Sequence, residues 1–275
     1  MDAVPNPESA LVLDRYDLYE LCVQDAAAMV RFLRAVHGGD PRVMREDFCG
    51  GVAVAREWAG LGRGFRAIAV DQDVEPLARL KRTAAAAGVP RRVRCVHADV
   101  MDCSLRADVI SATNFPIGYW HTRPELVRYL SATRRRLGPG GVFVCDTYGG
   151  ASAFRRMKTR RMVAVGGVGA VGGLHIEYTW EQREARARTR RVIDALHFRV
   201  TRRGRVIAEL RDAFVYDWRL WSIEELRGAM EEAGFASVEI YDRLAEAVDH
   251  QGRVYVRPAE ELGRDWVVYL VARKG

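Results

Sequence analysis

The sequence predicts a doubly wound α/β fold, a seven-stranded and mostly parallel sheet with an antiparallel β insertion after the fifth strand. Three observations carry it. Five apolar runs between Val43 and Asp146 alternate with helical patterns, and parallel neighbours need right-handed helical crossovers that cover both faces of a sheet. Beyond Gly150 the pattern changes to period two over long stretches, the mark of antiparallel strands. Two late runs, Val238-Glu239-Ile240 and Trp266 to Val271, complete the sheet.

Residues 14 to 37 read as a helix, with Leu21, Val30, Leu33 and Val36 among its apolar positions and Gly38-Gly39 as its stop. The first strand runs through Val43 and Met44 into Glu46-Asp47-Phe48-Cys49-Gly50-Gly51, and a helix follows from about Val52 to Leu61. Phe65 to Val70 is the second strand, ending at Asp71, after which Asp73 caps a helix that Gly88 stops. Val93 to His97 is the third, ending at Asp99, and Asp108 to Ala112 the fourth, leading into Thr113-Asn114-Phe115-Pro116. Thr122 and Glu125 have capping-box spacing, so a helix runs from there to Leu137, where Gly138-Pro139-Gly140-Gly141 breaks it. Gly141 to Asp146 is the fifth strand.

The Gly-rich segment 164 to 173 reads as a loop rather than a phosphate cradle, since no GK[ST] follows it. Three alternating stretches come next, through Ile176/Tyr178/Trp180, Val192 to Val200 and Val206 to Trp218, the last two joined by a turn at Arg202-Arg203-Gly204. Ser222 and Glu225 open a helix that Gly234 stops, and the polar stretch 243 to 265 separates the last two strands. One domain, 1–275, therefore divides into a helical cap (1–39), an α/β core (40–150), the insertion (151–221) and a C-terminal helix with strands (222–275).

The 275 residues are 49% apolar with only 9 prolines, enough to bury a core and unlike a disordered chain. No run of eighteen apolar residues and no basic stretch before an apolar one speak for a membrane helix or a secretory signal. The five cysteines lack CxxC spacing, so neither a disulfide framework nor a metal site is expected, and a reducing cytoplasm fits. The net charge of +7 is almost all arginine. Basic runs such as Arg134-Arg135-Arg136 and Arg155 to Arg161 read as solvated faces and loops rather than phosphate tracks, so no specific nucleic acid is expected.

In an open α/β sheet the ligand sits at the carboxyl ends of the strands, near the switch in strand order. Glu46 to Gly51 places an acid before a glycine turn, where backbone approaches a ligand closely. Asp71 stands where such folds put a carboxylate that accepts both ribose hydroxyls, Asp99 where one accepts from an adenine amino group, and Asn114 faces the same crevice. Each feature alone is equally a turn or a cap. Their order and spacing give them meaning, and the G-x-G-x-x-G that a nicotinamide site needs is absent.

This series resembles the class I S-adenosylmethionine-dependent methyltransferases, whose fold is Rossmann-like. The family's acidic-x-x-Cys-Gly signature stands as Glu46-Asp47-Phe48-Cys49-Gly50, its ribose acid as Asp71 and its adenine-side acid as Asp99. The segment Asp108 to Phe115 and the Leu137-Gly138-Pro139-Gly140-Gly141 turn also match, so the resemblance spans Val43 to Asp146. It implies S-adenosyl-L-methionine as cofactor, held by Glu46, Phe48, Cys49, Gly50, Gly51, Asp71, Gln72, Asp99, Val100 and Asn114, with no metal. The last glycine of the usual GxG is replaced by Val52, which shifts the expected seat of the methionine end.

Arg45 to Gly50 is most similar to an uncharacterised small-molecule branch, which implies methyl transfer to a small-molecule acceptor. Two alternatives stay open: a base-modifying RNA or DNA methyltransferase, whose Asn-Pro-Pro-aromatic motif Asn114-Phe115-Pro116-Ile117 matches only in part, and a cofactor-binding partner protein without turnover. Tyr119 and His121 are placed to orient or deprotonate an acceptor. With the turn at Arg203 as centre, Asp194 falls opposite Asp212 on an apolar face, where carboxylates are costly unless paired or facing a ligand. These four are the candidate catalytic residues. The meander from Ile176 to Trp218 is expected to wall the acceptor pocket with Tyr178, Trp180, Phe198, Phe214, Tyr216 and Trp218.

Overall fold

Strands β4 (Ala107–Ala112) and β5 (Leu137–Gly150) carry Val109, Ile110, Val142, Phe143, Val144 and Cys145 without exposed surface, as strands covered on both faces must. The computed structural model describes residues 13–75, 79, 88, 91–166, 173–242, 244, 247–248, 254–255, 258–259 and 261–275. Five parallel strands, β1 (Val43–Asp47), β2 (Arg66–Asp71), β3 (Val93–His97), β4 and β5, join β10 (Ser237–Tyr241) and β13 (Asp265–Arg273) in one sheet of order β10-β13-β5-β4-β1-β2-β3. Only β13 runs against its neighbours. The strand order reverses between β1 and β4, and that is where the crevice opens.

Helices α2 (Ala26–His37) and α3 (Ala53–Gly60) pack on one face through Phe32, Leu33, Val54 and Trp58. On the other face lie α4 (Arg123–Arg136) and α5 (Ile223–Glu232), through Leu126, Leu130, Leu226 and Met230. Thr122 and Ser222 form the expected capping boxes with Glu125 and Glu225, and Gly38 ends α2 in the left-handed conformation. The single helix expected over 14–37 is two. α1 (Arg15–Cys22) is capped by Asp14, and Asp25 caps α2 by accepting from the Ala28 N–H at 2.9 Å, so the chain turns between them. The helix expected after Asp73 is seen at Val74, Glu75 and Arg79, and its remainder lies outside the described residues.

The insertion is a separate four-stranded sheet, β6 (Met157–Val165), β7 (Leu174–Arg186), β8 (Arg191–Arg202) and β9 (Arg205–Arg219), in the order of the chain. β6 was not expected: the basic run that reads as a loop is an edge strand, largely solvated, as charged edge strands are. Most of the Gly-rich segment, 167–172, lies outside the described residues, as does most of 243–260 apart from short pieces that include β11 (Ala247–Val248) and β12 (Val254–Tyr255). α1 packs Leu18 and Cys22 against Ile176, Leu196, Phe198 and Val200 of this sheet, giving the insertion a core of its own.

The expected register of the meander fails by four residues. Asp194 pairs with Tyr216, not Asp212: the two-residue turn at Arg203-Gly204 shifts the pairing by one, and irregularities between Val200 and Thr201 and between Leu196 and Phe198 put three extra residues into β9. Asp212 sits in the second bulge at φ 53°.

Candidate active site

A cavity of about 650 Å³ opens over the carboxyl ends of β1, β2 and β4. At its floor, Phe48 turns the chain at φ 58° and the Gly50 N–H donates to Asp71 Oδ2 at 3.0 Å, while Asp71 Oδ1 accepts from the Asp73 N–H at 2.9 Å. Burial pushes the Asp71 carboxyl up, and these backbone donors pull it back down. Each oxygen keeps acceptor capacity toward the cavity, as a pair of ligand hydroxyls needs. A Cβ at Gly51 would come within 2.7 Å of Glu20 Oε1, so the Glu20 carboxylate would have to move aside for any larger residue. Asp99 accepts from the Met101 N–H at 2.7 Å and lines the cavity with Val100 and Gln72.

After β4 the chain makes two successive left-handed residues, Asn114 and Phe115, both at φ 70°. Asp146 of β5 accepts from their N–H groups at 2.8 and 2.7 Å. The short 3-10 turn Pro116–Tyr119 follows and delivers Tyr119 to the wall. Tyr119 remains 44% exposed, and confinement in that wall pushes its phenol up to about 12.

The roof comes from β9. Phe214, Tyr216 and Trp218 lie at alternate positions and so share a face, with Tyr216 and Trp218 stacked at 4.3 Å and Phe214 parallel to Tyr216 at 6.1 Å. Tyr119 meets Trp218 edge-on at 6.3 Å, so floor and roof touch. Gly118 permits this approach, because a Cβ there would fall 2.7 Å from Trp218 Cβ.

Of the residues expected from sequence, Phe48, Cys49, Gly50, Gly51, Asp71, Gln72, Asp99, Val100, Asn114, Tyr119 and Asp212 line this cavity. Three do not. Glu46 points under the loop, where its Oε2 accepts from the Ala55 N–H at 2.9 Å and burial raises its carboxyl to about 8. His121 is tied to the Asp217 carbonyl at 3.0 Å. Asp194 is fully buried inside the insertion, hydrogen-bonded by the Tyr148 hydroxyl at 2.8 Å and raised to about 7 by burial. Asp212 lines the cavity at its edge, but its carboxylate pairs with Arg183. Tyr178, Trp180 and Phe198 belong to the insertion's own apolar cluster and are not among the lining residues.

Sequence reasoning missed the contribution of α1. Arg15, Tyr16 and Tyr19 line the cavity, and the Tyr16 hydroxyl donates to Asp73 Oδ2 at 3.1 Å. Asp73 also caps its helix through the Glu75 N–H and pairs with Arg15 at 3.1 Å, so it fastens α1 across the site rather than acting only as a cap. The signal was present in Tyr16 and Tyr19, three apart and hence on one helical face.

This combination defines a class: an open α/β sheet with a glycine turn after β1, an acid after β2 and a small cavity at the switch point. Residues 47–145 match the family model of the methyltransferase domain, a stretch that runs from the end of β1 into β5. Over that stretch the chain carries a methyltransferase domain, and S-adenosylmethionine is its cofactor. No curated protein sequence matches it. Similar solved structures include an S-adenosylmethionine-dependent methyltransferase from Clostridium acetobutylicum, 15% identical over 94% of this chain and 97% of that one, with a TM-score of 0.64. CalS10, an amino pentose methyltransferase from Micromonospora echinaspora with S-adenosylmethionine bound, is 17% identical over 97% and 99%, with a TM-score of 0.65. The sugar N-methyltransferase KedS8 from a Streptoalloteichus species is 19% identical over 100% and 98%, with a TM-score of 0.64. At these identities the likeness is one of fold.

Proposed function

We propose that this enzyme methylates an amine on a small, polar, ring-shaped molecule held between the strand ends and the β9 roof. The roof carries the reading: the chain's own Phe214, Tyr216 and Trp218 close the cavity to the volume of a small-molecule site and offer flat faces for a ring. When bound, S-adenosylmethionine would supply a methyl group on a sulfonium, open to in-line attack by an acceptor lone pair on the methyl carbon as the carbon–sulfur bond breaks and S-adenosylhomocysteine leaves. Asp71 would hold the ribose hydroxyls, Asp99 the adenine amino group, and the Gly50-Gly51 backbone would admit the methionine end. The remaining wall, Tyr119, Tyr216 and Trp218, orients the acceptor and keeps water out.

An amine is favoured over a hydroxyl because the described lining holds no histidine or lysine, its Asp71, Asp73, Asp99 and Asp212 are engaged by backbone N–H groups or arginines, and its one cysteine, Cys49, has its thiol pushed well up by burial. A neutral amine attacks with its own lone pair and loses a proton after the bond has formed, whereas a hydroxyl needs a base as it attacks. The names of CalS10 and KedS8 point the same way. The basic surface supports no nucleic-acid partner in this reading, since many arginines are paired with acids, as in Arg183–Asp212 and Arg191–Asp217. No helix among the described residues is long and apolar enough to cross a membrane. A cytoplasmic setting is part of the same proposal, supported by five free cysteines.

Labelled S-adenosylmethionine offered with matched sugars that carry an amino or a hydroxyl group at one carbon tests this reading. Label in the amino member with the hydroxyl member silent is expected. Transfer to the hydroxyl member alone, or into an oligonucleotide base, overturns it.

A further inference from the structure

Asp146 is 3% exposed, ends no helix and makes no ion pair among the described residues, yet both of its oxygens are engaged. Its partners are the N–H groups of Asn114 and Phe115, two adjacent left-handed residues, a conformation that asparagine tolerates and a bulky aromatic residue rarely adopts. In this turn the two neighbouring N–H groups face the same way and grip one carboxylate between them. Here the anion is a side chain from the next strand of the sheet.

This turn has consequences on both sides of the acceptor space. Asn114 lines the cavity, and the Phe115 carbonyl accepts from the Gly118 N–H at 3.0 Å, closing the 3-10 turn that presents Tyr119. The Phe115 ring packs edge-on against Tyr148 at 5.1 Å and against Trp218 of the roof at 5.8 Å. We infer that Asp146 is the positioning residue of the acceptor wall, its carboxylate holding Asn114 and Phe115 in the left-handed turn that sets Tyr119 and the roof contact. The inference rests on the reading of this cavity as the site of methyl transfer, but its geometry does not depend on which acceptor binds.

The ionised form is the one that holds the turn, because a carboxylic acid keeps only one strong acceptor oxygen for two N–H groups. Burial without a cation pushes Asp146 up to about 7, although the two N–H groups pull it down. The titratable groups that feel its charge are Tyr19 on α1, Tyr269 on β13 and its neighbour Cys145, all raised by burial and so neutral in this range. Because the folded value lies above the ordinary one, acidification through about 7 protonates Asp146. That favours the fold by linkage while it releases the turn. Global stability and loop order therefore move in opposite directions, which a merely structural role would not produce.

The full chain contains two asparagines, Asn6 and Asn114, and only Asn114 follows a threonine. Carbonyl-labelled threonine with 15N-asparagine thus isolates the Asn114 amide in an NMR spectrum. Its proton resonance is expected downfield at pH 8.5 and to move upfield with a midpoint near 7 as the pH falls, and Asp146→Asn is expected to abolish that titration while S-adenosylhomocysteine affinity stays within about threefold. An Asn114 amide that does not titrate, or one that titrates alike in Asp146→Asn, overturns the inference. If Asp146→Asn does not fold, the parent titration decides alone. A titrating amide in a protein that methylates no amine would defeat the proposed function and leave this inference standing.

Discussion

The parallel core and the antiparallel insertion solve the burial of charge in opposite ways. In the core, Arg45 and Asp47 pair at 2.6 Å with 0% and 1% exposure, Tyr129 donates to the second oxygen of Asp47 at 3.0 Å, and the guanidinium also reaches the carbonyls of Val100 and Cys103. That network lies directly beneath the loop bearing Asp99. In the insertion, pairs such as Arg186–Glu184 and Arg211–Glu209 stand largely in solvent. The first region spends its polar groups on fixing backbone under the cofactor cavity. The second leaves most of them at the surface, with Asp194 and Gln182 among the buried exceptions, and turns aromatic rings inward. One half is built to hold a constant ligand, and the other presents a face that other side chains could replace without disturbing the sheet beneath.

Breaking the buried pair gives the largest effect. Arg45→Ala leaves Asp47 as an uncompensated buried carboxylate and is expected to cost about 3–5 kcal/mol of stability, read by denaturant unfolding. A cost near zero would mean that the core does not depend on this network. A smaller effect is expected where the two regions meet. Gly118→Ala puts a methyl group against Trp218 Cβ and is expected to destabilise by about 1–3 kcal/mol through overpacking, with acceptor turnover falling further than the stability loss explains. Unchanged turnover would separate the roof from the chemistry.

The same contrast governs what could be read from the sequence. Strands buried on both faces appear as continuous apolar runs, which made β2, β4 and β5 legible, and the shorter or mixed runs of β1, β3, β10 and β13 could be read beside them, as could the capping boxes at Thr122 and Ser222. The floor of the cavity was legible because Asp71, Asp99 and Asn114 end consecutive strands. The insertion was legible as a meander but not in register, since bulges leave the alternation almost intact and cannot be counted from it; Asp194 and Asp212 were brought together on paper and lie apart in the fold. β6 was hidden because an exposed edge strand has no apolar period. Asp146 gave no signal, because its role depends on backbone groups thirty residues away in the chain.

The central claim is that the core grips the cofactor while β9 shapes the acceptor space, and calorimetric titration of S-adenosylhomocysteine into the parent, Asp71→Ala and Tyr216→Ala tests it most directly. Asp71→Ala is expected to lose about 1.5–3 kcal/mol of binding, as for hydrogen bonds to a charged group. Tyr216→Ala is expected to bind within about threefold of the parent, with methyl transfer to its acceptor reduced about tenfold or more. Parent-like affinity in Asp71→Ala, or a Tyr216→Ala variant as impaired in cofactor binding as Asp71→Ala, would contradict that division.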